Sequence, residues 1–394
     1  MKTVGIICEY NPFHLGHTGH IVKTRQTLGE DVAIVCVMSG NYVQRGDFAI
    51  FNKHVRARMA ISCGADLVIE LPTPYALQSA EGFARAGVFI LDKLGICNYL
   101  SFGSESGDIN LISEAASLIV STKADMITKE WLGKGVSYAT AQQKAADEIM
   151  GKRASIFKSP NNVLGIEYIK ALSRYGSSMK PITVLRTNGE HDSDSGYSAS
   201  ALRKAFVSGK LPMTEMPEAA YLSSLEEIAM GRGPVSIATA EIAMLSRLRA
   251  IGDYSGIQGV SEGLESRFKR FVSQETSVAS ILSKVKTKRY TMSRLRRVLI
   301  CAALGIKKEL IQSTPPYIRV LAMNSKGMML LGAARKKTRL PIITKPASVY
   351  KHSESVIRTF SLEASATDFY VLNYANEAER GGGQEWRHSP IILD

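Results

Sequence analysis

The opening twenty residues constrain this chain more than any other stretch. Val4-Gly5-Ile6-Ile7-Cys8 is a short apolar run of β type. The turn-rich Glu9-Tyr10-Asn11-Pro12-Phe13 follows, then His14-Leu15-Gly16-His17, then a segment of helical character over 18–28. In an open parallel sheet, strand, tight loop and helix in that order put the loop at the carboxyl edge of a strand, where ligands bind. Pro12 lacks a backbone donor and ends regular pairing. Gly16 lacks a Cβ and lets a ligand approach the main chain. The free N–H groups of the helix start suit a phosphate. His14 and His17, three apart, share one face if the helix begins near His14. Imidazole N–H groups can donate to phosphate oxygens as charge develops on them. The plainer alternative is a loop with two surface histidines. Their position directly behind a first strand, with a glycine between and a helix behind, points instead to phosphate.

The remaining pattern supplies a sheet for that loop. Residues 32–38 read as a second buried strand and 39–41 as its exit loop. Asn52 caps a helix running to about Cys63, and 65–71 form a third strand stopped by Pro72 and Pro74. A helix over 79–94, a fourth strand over 99–102 and its exit loop Gly103-Ser104-Glu105 follow. Amphipathic helices are expected over 109–121 and 137–150, and Ser159-Pro160-Asn161-Asn162 opens another. Residues 182–185 make a fifth strand, followed by Arg186-Thr187-Asn188-Gly189 and a polar loop over 190–196. Four β-then-α units in the first hundred residues predict an α/β fold, a Rossmann-like doubly wound parallel sheet. At 394 residues the chain is long for one domain. We expect residues 1–210 to form a nucleotide-binding catalytic domain and 211–394 a mostly helical, basic one. Within the latter, 318–321 is a candidate strand, 325–335 a helix, and the last twenty-odd residues around Arg380-Gly381-Gly382-Gly383 a flexible tail.

In such a sheet five loops meet at one edge: 14–17, 39–47, 103–105, 186–189 and 198–203. Ser198-Ala199-Ser200-Ala201-Leu202-Arg203 brings hydroxyls, helix N-terminal amides and a guanidinium that can hold phosphates, although alone it also reads as an ordinary helix cap. Gly103 leaves space for a nucleoside at the fourth strand's exit. Asn162 and Arg186 are the polar groups placed to complete the site, against the alternatives of a capping amide and a surface cation.

Charge points to a second, anionic partner. The chain carries +13 at pH 7 with a pI of about 9.4. Over 267–297 ten lysines and arginines stand against the single acid Glu275. A field that concentrated suits a polyanion, and Tyr290 beside Lys286, Lys288, Arg289, Arg294, Arg296 and Arg297 could stack on a splayed RNA base. A solvated basic helix face is the alternative. No run of about 18 apolar residues predicts a membrane span, and no long apolar leader precedes the first strand, which fits a cytoplasmic protein. Cys8, Cys36, Cys63, Cys97 and Cys301 are odd in number and without a CxxC pair, so buried free thiols are expected, with neither zinc nor disulfides.

His14-Leu15-Gly16-His17 resembles the His-x-Gly-His signature of the nucleotidyltransferase superfamily. Residues 198–203 resemble its Ser-Ser-Thr-x-x-Arg signature, departing at Ala199 and at Ser200, which keeps a hydroxyl. The longer string 5–17 is similar to the bacterial tRNA(Met) cytidine acetate ligase family, as are Ser39-Gly40-Asn41-Tyr42-Val43-Gln44-Arg45-Gly46, residues 64–72 and Asn161-Asn162-Val163-Leu164-Gly165-Ile166-Glu167-Tyr168. The resemblance implies a nucleotidyltransferase fold and ATP contacts at Ile7, Cys8, Glu9, Tyr10, Asn11, Pro12, Phe13, His14, Gly16, His17, His20, Gly103, Asn162 (or Asn161) and Arg186. It implies catalytic roles for His14, His17, Ser198 and Arg203. Acetate would become acetyl-AMP, and its acetyl group would pass to the exocyclic amine of the wobble cytidine of elongator tRNA(Met), giving N4-acetylcytidine. Mg²⁺ is expected by analogy with ATP chemistry, without a carboxylate pair to mark a site. Oligomeric state stays open. A small-metabolite adenylyltransferase and a non-catalytic RNA-binding protein of the same fold are the alternatives; the first has no need of the basic helical region, and the second none of both histidines and Arg203.

Overall fold

Each early apolar run forms a strand and each amphipathic run behind it a helix. The computed structural model describes residues 1–186, 198–261, 263–311 and 313–394. The loop residues 187–189 and the polar stretch 190–196 lie outside them. In chain order the elements are β1 (Thr3–Cys8), α1 (Leu15–Leu28), β2 (Ala33–Ser39), a hairpin of β3 (Tyr42–Val43) and β4 (Asp47–Phe48), α2 (Lys53–Ser62), β5 (Leu67–Leu71), α3 (Thr73–Ala76), α4 (Ala80–Leu94) and β6 (Tyr99–Ser104). Then come α5 (Ile109–Ile119), α6 (Thr122–Gly133), α7 (Tyr138–Met150), α8 (Pro160–Tyr175), β7 (Lys180–Leu185) and α9 (Ala199–Val207). A helical stretch follows: α10 (Glu218–Ala229), α11 (Glu241–Arg249), α12 (Leu264–Gln274), α13 (Val278–Val285) and α14 (Met292–Leu304). The chain ends with β8 (Ile318–Met323), α15 (Ser325–Arg335), β9 (Ile342–Ile343), α16 (Glu354–Val371), α17 (Gln384–Arg387) and β10 (Ile391–Ile392).

The strands lie in the order β10-β8-β5-β2-β1-β6-β7, with β9 also on β8. The five from β5 to β7 are parallel. Chain order reverses at β1: β2 and β5 stack to one side, β6 and β7 to the other. The crevice outside the carboxyl ends of β1 and β6 is therefore the switch point where such sheets bind ligands. Both faces of the sheet are covered. Val35 and Val37 pack with Ile7, Leu67 and Ile69 on one side; Ile34, Cys36 and Met38 pack with Val4 and Ile6 on the other. A strand buried on both faces needs no polar side, which is why β2 reads as one apolar run.

The structure corrects two expectations about the C-terminal half. Most of the helical stretch packs in one core with Leu248, Phe268, Val298 and Leu299, which also takes in Tyr42, Phe48 and Leu77 from the first half and Phe369 and Tyr370 from α16. The sheet nevertheless draws strands from both segments, since β8 pairs antiparallel with β5 and β10 lies parallel to β8. The last twenty residues are not a loose tail, because a buried charge holds them. Lys53 on α2 is fully buried, with its Nζ 2.6 Å from Glu70 Oε1, 2.7 Å from Glu385 Oε2 and 3.8 Å from Glu363 Oε2. Buried ammonium requires such partners, and Glu385 comes from α17. Burial alone would raise the Glu385 carboxyl; Lys53, His54 and Arg319 outweigh it and hold it at about 2. Burial would likewise lower Lys53, but Glu385, Glu70 and Glu363 keep it raised.

Candidate active site

The histidine loop is built from below. Tyr10 and Phe13 are fully buried, and their rings meet at 4.7 Å between centroids, tilted by 60°. Tyr10 takes a left-handed backbone, φ +46°, and its ring edge meets His17 at 4.8 Å. With these aromatics as anchors, α1 begins at Leu15, three residues before the sequence reading placed it, and His14 becomes its N-cap. His14 Nδ1 accepts from Gly16 N–H at 3.0 Å, and His17 Nδ1 accepts from His14 N–H at 3.2 Å. Because a backbone N–H can only donate, both Nδ1 atoms are unprotonated, and each ring carries its proton on Nε2. The rings lie 3.8 Å apart. Burial, then Arg186 and Arg203, pushes His14 down to about 3. Burial, then His14, lowers His17; burial, then Arg186, takes His20 to about 4. His14 and His17 are therefore neutral Nε2–H donors at physiological pH rather than cations.

These shifts bear on stability. An unfolded imidazole takes up its proton near 6.5, whereas folded His20 does so near 4. Between those values the unfolded chain binds more protons, so stability is full above 6.5 and falls as the pH drops toward 4. The thermal midpoint should fall over that window, and His20→Gln, which can keep a hydrogen bond to Ser101 Oγ (2.9 Å in the native chain), should make the fall shallower. A variant as steep as the parent in a pH series of melting curves would refute this.

Around the loop a cleft of about 810 Å³ is lined by His14, His17, His20, Arg45, Gly103, Asn161, Arg186, Ser198 and Arg203, together with Ile7, Cys8, Glu9, Tyr10 and Asn11. That volume is within the ordinary range for a site holding one small molecule. Arg203 reaches from α9 to donate to Asn11 O at 2.8 Å and to Ser200 Oγ at 3.0 Å. Ser198 is the N-cap of α9, accepting from Ala201 N–H at 3.1 Å, and its hydroxyl proton stays available to a ligand. Burial lowers both Arg186 and Arg203, but each remains a cation at neutral pH.

Other predicted residues sit differently. Gly103 lies inside β6, and a Cβ there would meet the Arg186 stem at 3.2 Å, so its smallness also makes room for an arginine. Asn162 is buried, and its Oδ1 accepts Glu105 N–H (3.0 Å) and Ser106 N–H (3.1 Å), while the Glu105 carboxylate takes Asn162 N–H in return. The two residues clamp β6 to the start of α8, and it is Asn161 that lines the cleft. Pro12, Phe13 and Gly16 support the loop from within rather than line the cleft.

Three contributions were not read from the sequence. Phe83, Phe102, Leu164 and Tyr168 give the cleft an apolar wall. The β3–β4 hairpin carries Arg45 into it. Arg56, fully buried on α2, donates to the carbonyls of Phe51 (2.9 Å), Glu9, Ser39 (3.1 Å) and Gly40, tying the exit loops of β1 and β2 together. Its position in an apparently amphipathic helix gave no local signal.

The basic segment needs one clear correction. Tyr290 is buried in the helical core beneath Arg294, whose guanidinium lies 5.4 Å from its ring, so it cannot stack on a base. Apolar neighbours from α12 and α13 enclose a side chain that looks like a surface aromatic in one dimension. Arg294 Nη2 donates to Ser261 Oγ at 2.6 Å, and Arg297, held near 10 by burial, donates to Gln44 O at 3.0 Å. Lys286 bends onto the Thr287 carbonyl at 2.9 Å. Lys288, Arg289 and Arg296 are exposed, and Arg296 also lines the cleft. Among the described residues no group of three His, Cys, Asp or Glu could hold a metal ion, and no helix is long and apolar enough to cross a membrane.

Comparison with known proteins agrees with this fold. The model of the HIGH nucleotidyl transferase family matches residues 1–385. The chain is 38% identical to the tRNA(Met) cytidine acetate ligase of Acetivibrio thermocellus, covering 100% of both chains. It is 39% identical to that of Caldicellulosiruptor saccharolyticus, covering 100% of this chain and 99% of the relative. The crystal structure of Thermotoga maritima TmcAL bound with alpha-thio ATP superimposes with a TM-score of 0.93 at 32% identity, covering all of both chains.

Proposed function

The chain belongs to the HIGH nucleotidyl transferase family, among the tRNA(Met) cytidine acetate ligases, and from that membership we infer that it activates acetate with ATP and acetylates the wobble cytidine of elongator tRNA(Met) to N4-acetylcytidine. The observation that carries the chemistry is the meeting of two neutral Nε2–H imidazoles with Arg186 and Arg203 in the crevice at the β1–β6 switch point. A carboxylate oxygen of acetate attacks the α-phosphorus of ATP, and the bond to pyrophosphate breaks. Such a displacement asks the protein for positioning and charge stabilisation rather than covalent work. His14 and His17 donate to the α-phosphate oxygens as charge builds there. Arg203 and the Ser198 hydroxyl hold the departing pyrophosphate. The wall of Phe83, Phe102, Leu164 and Tyr168 suits the nucleoside. In the second step the cytidine amine attacks the acetyl carbonyl carbon, the bond to AMP breaks and the amine gives up a proton.

Magnesium, when bound, would neutralise phosphate charge. The cleft carboxylates fit it poorly as a protein-held ion, since Glu9, Asp47 and Glu105 each already accept a backbone N–H (2.6 Å from Gln44, 2.9 Å from Phe48 and 2.9 Å from Asn162). The phosphates of ATP are the better ligands. The exposed cations Lys288, Arg289 and Arg296 supply an RNA surface beside the cleft, and the setting is the cytoplasm. The test is mass spectrometry of elongator tRNA(Met) after incubation with the protein, ATP and isotopically labelled acetate. The expected product carries one labelled acetyl group on the wobble cytidine. Pyrophosphate release without acetylated tRNA would favour a small-metabolite adenylyltransferase, and no ATP turnover a non-catalytic RNA-binding protein.

A further inference from the structure

The β3–β4 hairpin is an arm mounted in two cores at once. Its body is fully buried: Tyr42 Oη donates to Ala366 O at 2.8 Å, and the Phe48 ring stacks on Tyr370 at 6.2 Å. Its tip is fixed from three sides. Gln44 N–H donates to Glu9 Oε1 at 2.6 Å, inside the histidine loop. Gln44 Nε2 donates to Gln78 O at 3.3 Å, and Arg297 of α14 donates to Gln44 O at 3.0 Å. Gly46 has φ +78°, and a Cβ there would lie 2.6 Å from the Arg297 backbone nitrogen, so only glycine lets the tip seat on α14.

This rigid mount presents one side chain. Arg45 is exposed, lines the cleft together with Arg186 and Arg203, and has no hydrogen bond or ion pair with any described residue. Its charge lowers both of those arginines, which places the three guanidinium groups within electrostatic reach of one another. Glu105 acts on Arg186, and Glu9 and Asp47 on Arg203, yet none of them forms an ion pair with Arg45; the converging cations repel one another, and an anion seated between them relieves that repulsion. A planar guanidinium matches phosphate oxygens in a bidentate fork.

We propose that Arg45 is a further phosphate-binding residue, gripping the triphosphate of ATP from the hairpin side of the cleft while Arg186 and Arg203 hold it from theirs. The proposal rests on the reading of the cleft as the ATP site. It gives the hairpin a purpose in the two-step reaction: the α14 segment that carries the basic stretch also braces the arm that holds the nucleotide.

The test is calorimetric titration of the full-length chain with ATP alone, alongside filter binding of an elongator tRNA(Met) transcript. Arg45→Ala should bind ATP roughly tenfold more weakly, the loss of one charge-assisted hydrogen bond, with tRNA affinity within about twofold of the parent. Arg45→Lys, a point charge without the fork, should fall between. ATP affinity within about twofold of the parent overturns the proposal; if tRNA affinity falls in its place, Arg45 is an RNA contact. Failure of the acetate reading shows separately: a parent chain that makes no acetyl-AMP, yet binds ATP in an Arg45-dependent way, keeps the grip and loses the substrate.

Discussion

His14→Asn should slow acetyl-AMP formation about a hundred- to a thousandfold while leaving the melting temperature almost unchanged. The two parts of that expectation come from different atoms of one ring. Nδ1 of His14 accepts Gly16 N–H and caps α1. An asparagine Oδ1 caps equally well, so the helix start survives. The Nε2–H has no counterpart in the shorter side chain, and removing one preorganised donor to a developing oxyanion costs about that factor. Alanine at both His14 and His17 should give a loss at least as large, with added destabilisation from the broken cap. Acid should rescue neither, because the rings act neutral: burial holds His14 at about 3. Single-turnover measurement of acetyl-AMP from ATP and acetate, without tRNA, reads the step directly. A rate for His14→Asn within about threefold of the parent would remove the histidines from the chemistry.

Lys53→Met should cost about 3–5 kcal/mol of stability, the usual penalty for stranding one side of a buried ion pair. The methionine fills the space but leaves Glu70, fully buried, without its ion-pair partner, and Glu385, also fully buried, with Arg319 at 3.7 Å in place of the closer Lys53. Glu385 belongs to α17 and Lys53 to α2, so the damage should appear first where the C-terminal residues join the sheet. Limited proteolysis should then cut beyond about residue 375 before the parallel strands open. Adding Glu385→Gln to Lys53→Met should recover part of the loss, because one stranded charge becomes an amide that can still accept from Thr367 Oγ1, 3.0 Å from Glu385 in the native chain. Denaturant unfolding that shows less than about 1 kcal/mol for the single variant would mean that the cluster does not hold the C-terminal segment in place.

What the sequence determined by itself was local in origin. Period and composition set β1, β2, β5 and β6, because a parallel strand buried on both faces must be apolar throughout. Asn52 caps the helix it was expected to cap, at His54 N, since a cap needs only its own first turn. The strand–loop–helix order put His14, His17 and Arg203 at one sheet edge, because right-handed crossovers leave few other topologies.

What the tertiary structure decided was every partner distant in sequence. Tyr290 and Arg297 look like surface residues beside lysines, yet α12, α13 and the hairpin enclose them. The glycine-rich end reads as a tail until Glu385 is seen against Lys53, more than three hundred residues earlier. Arg56 gives no hint of the four carbonyls it joins. A charge is buried or exposed according to what folds over it, and that depends on contacts between segments far apart in the chain, which a periodicity of two or of 3.6 residues does not encode.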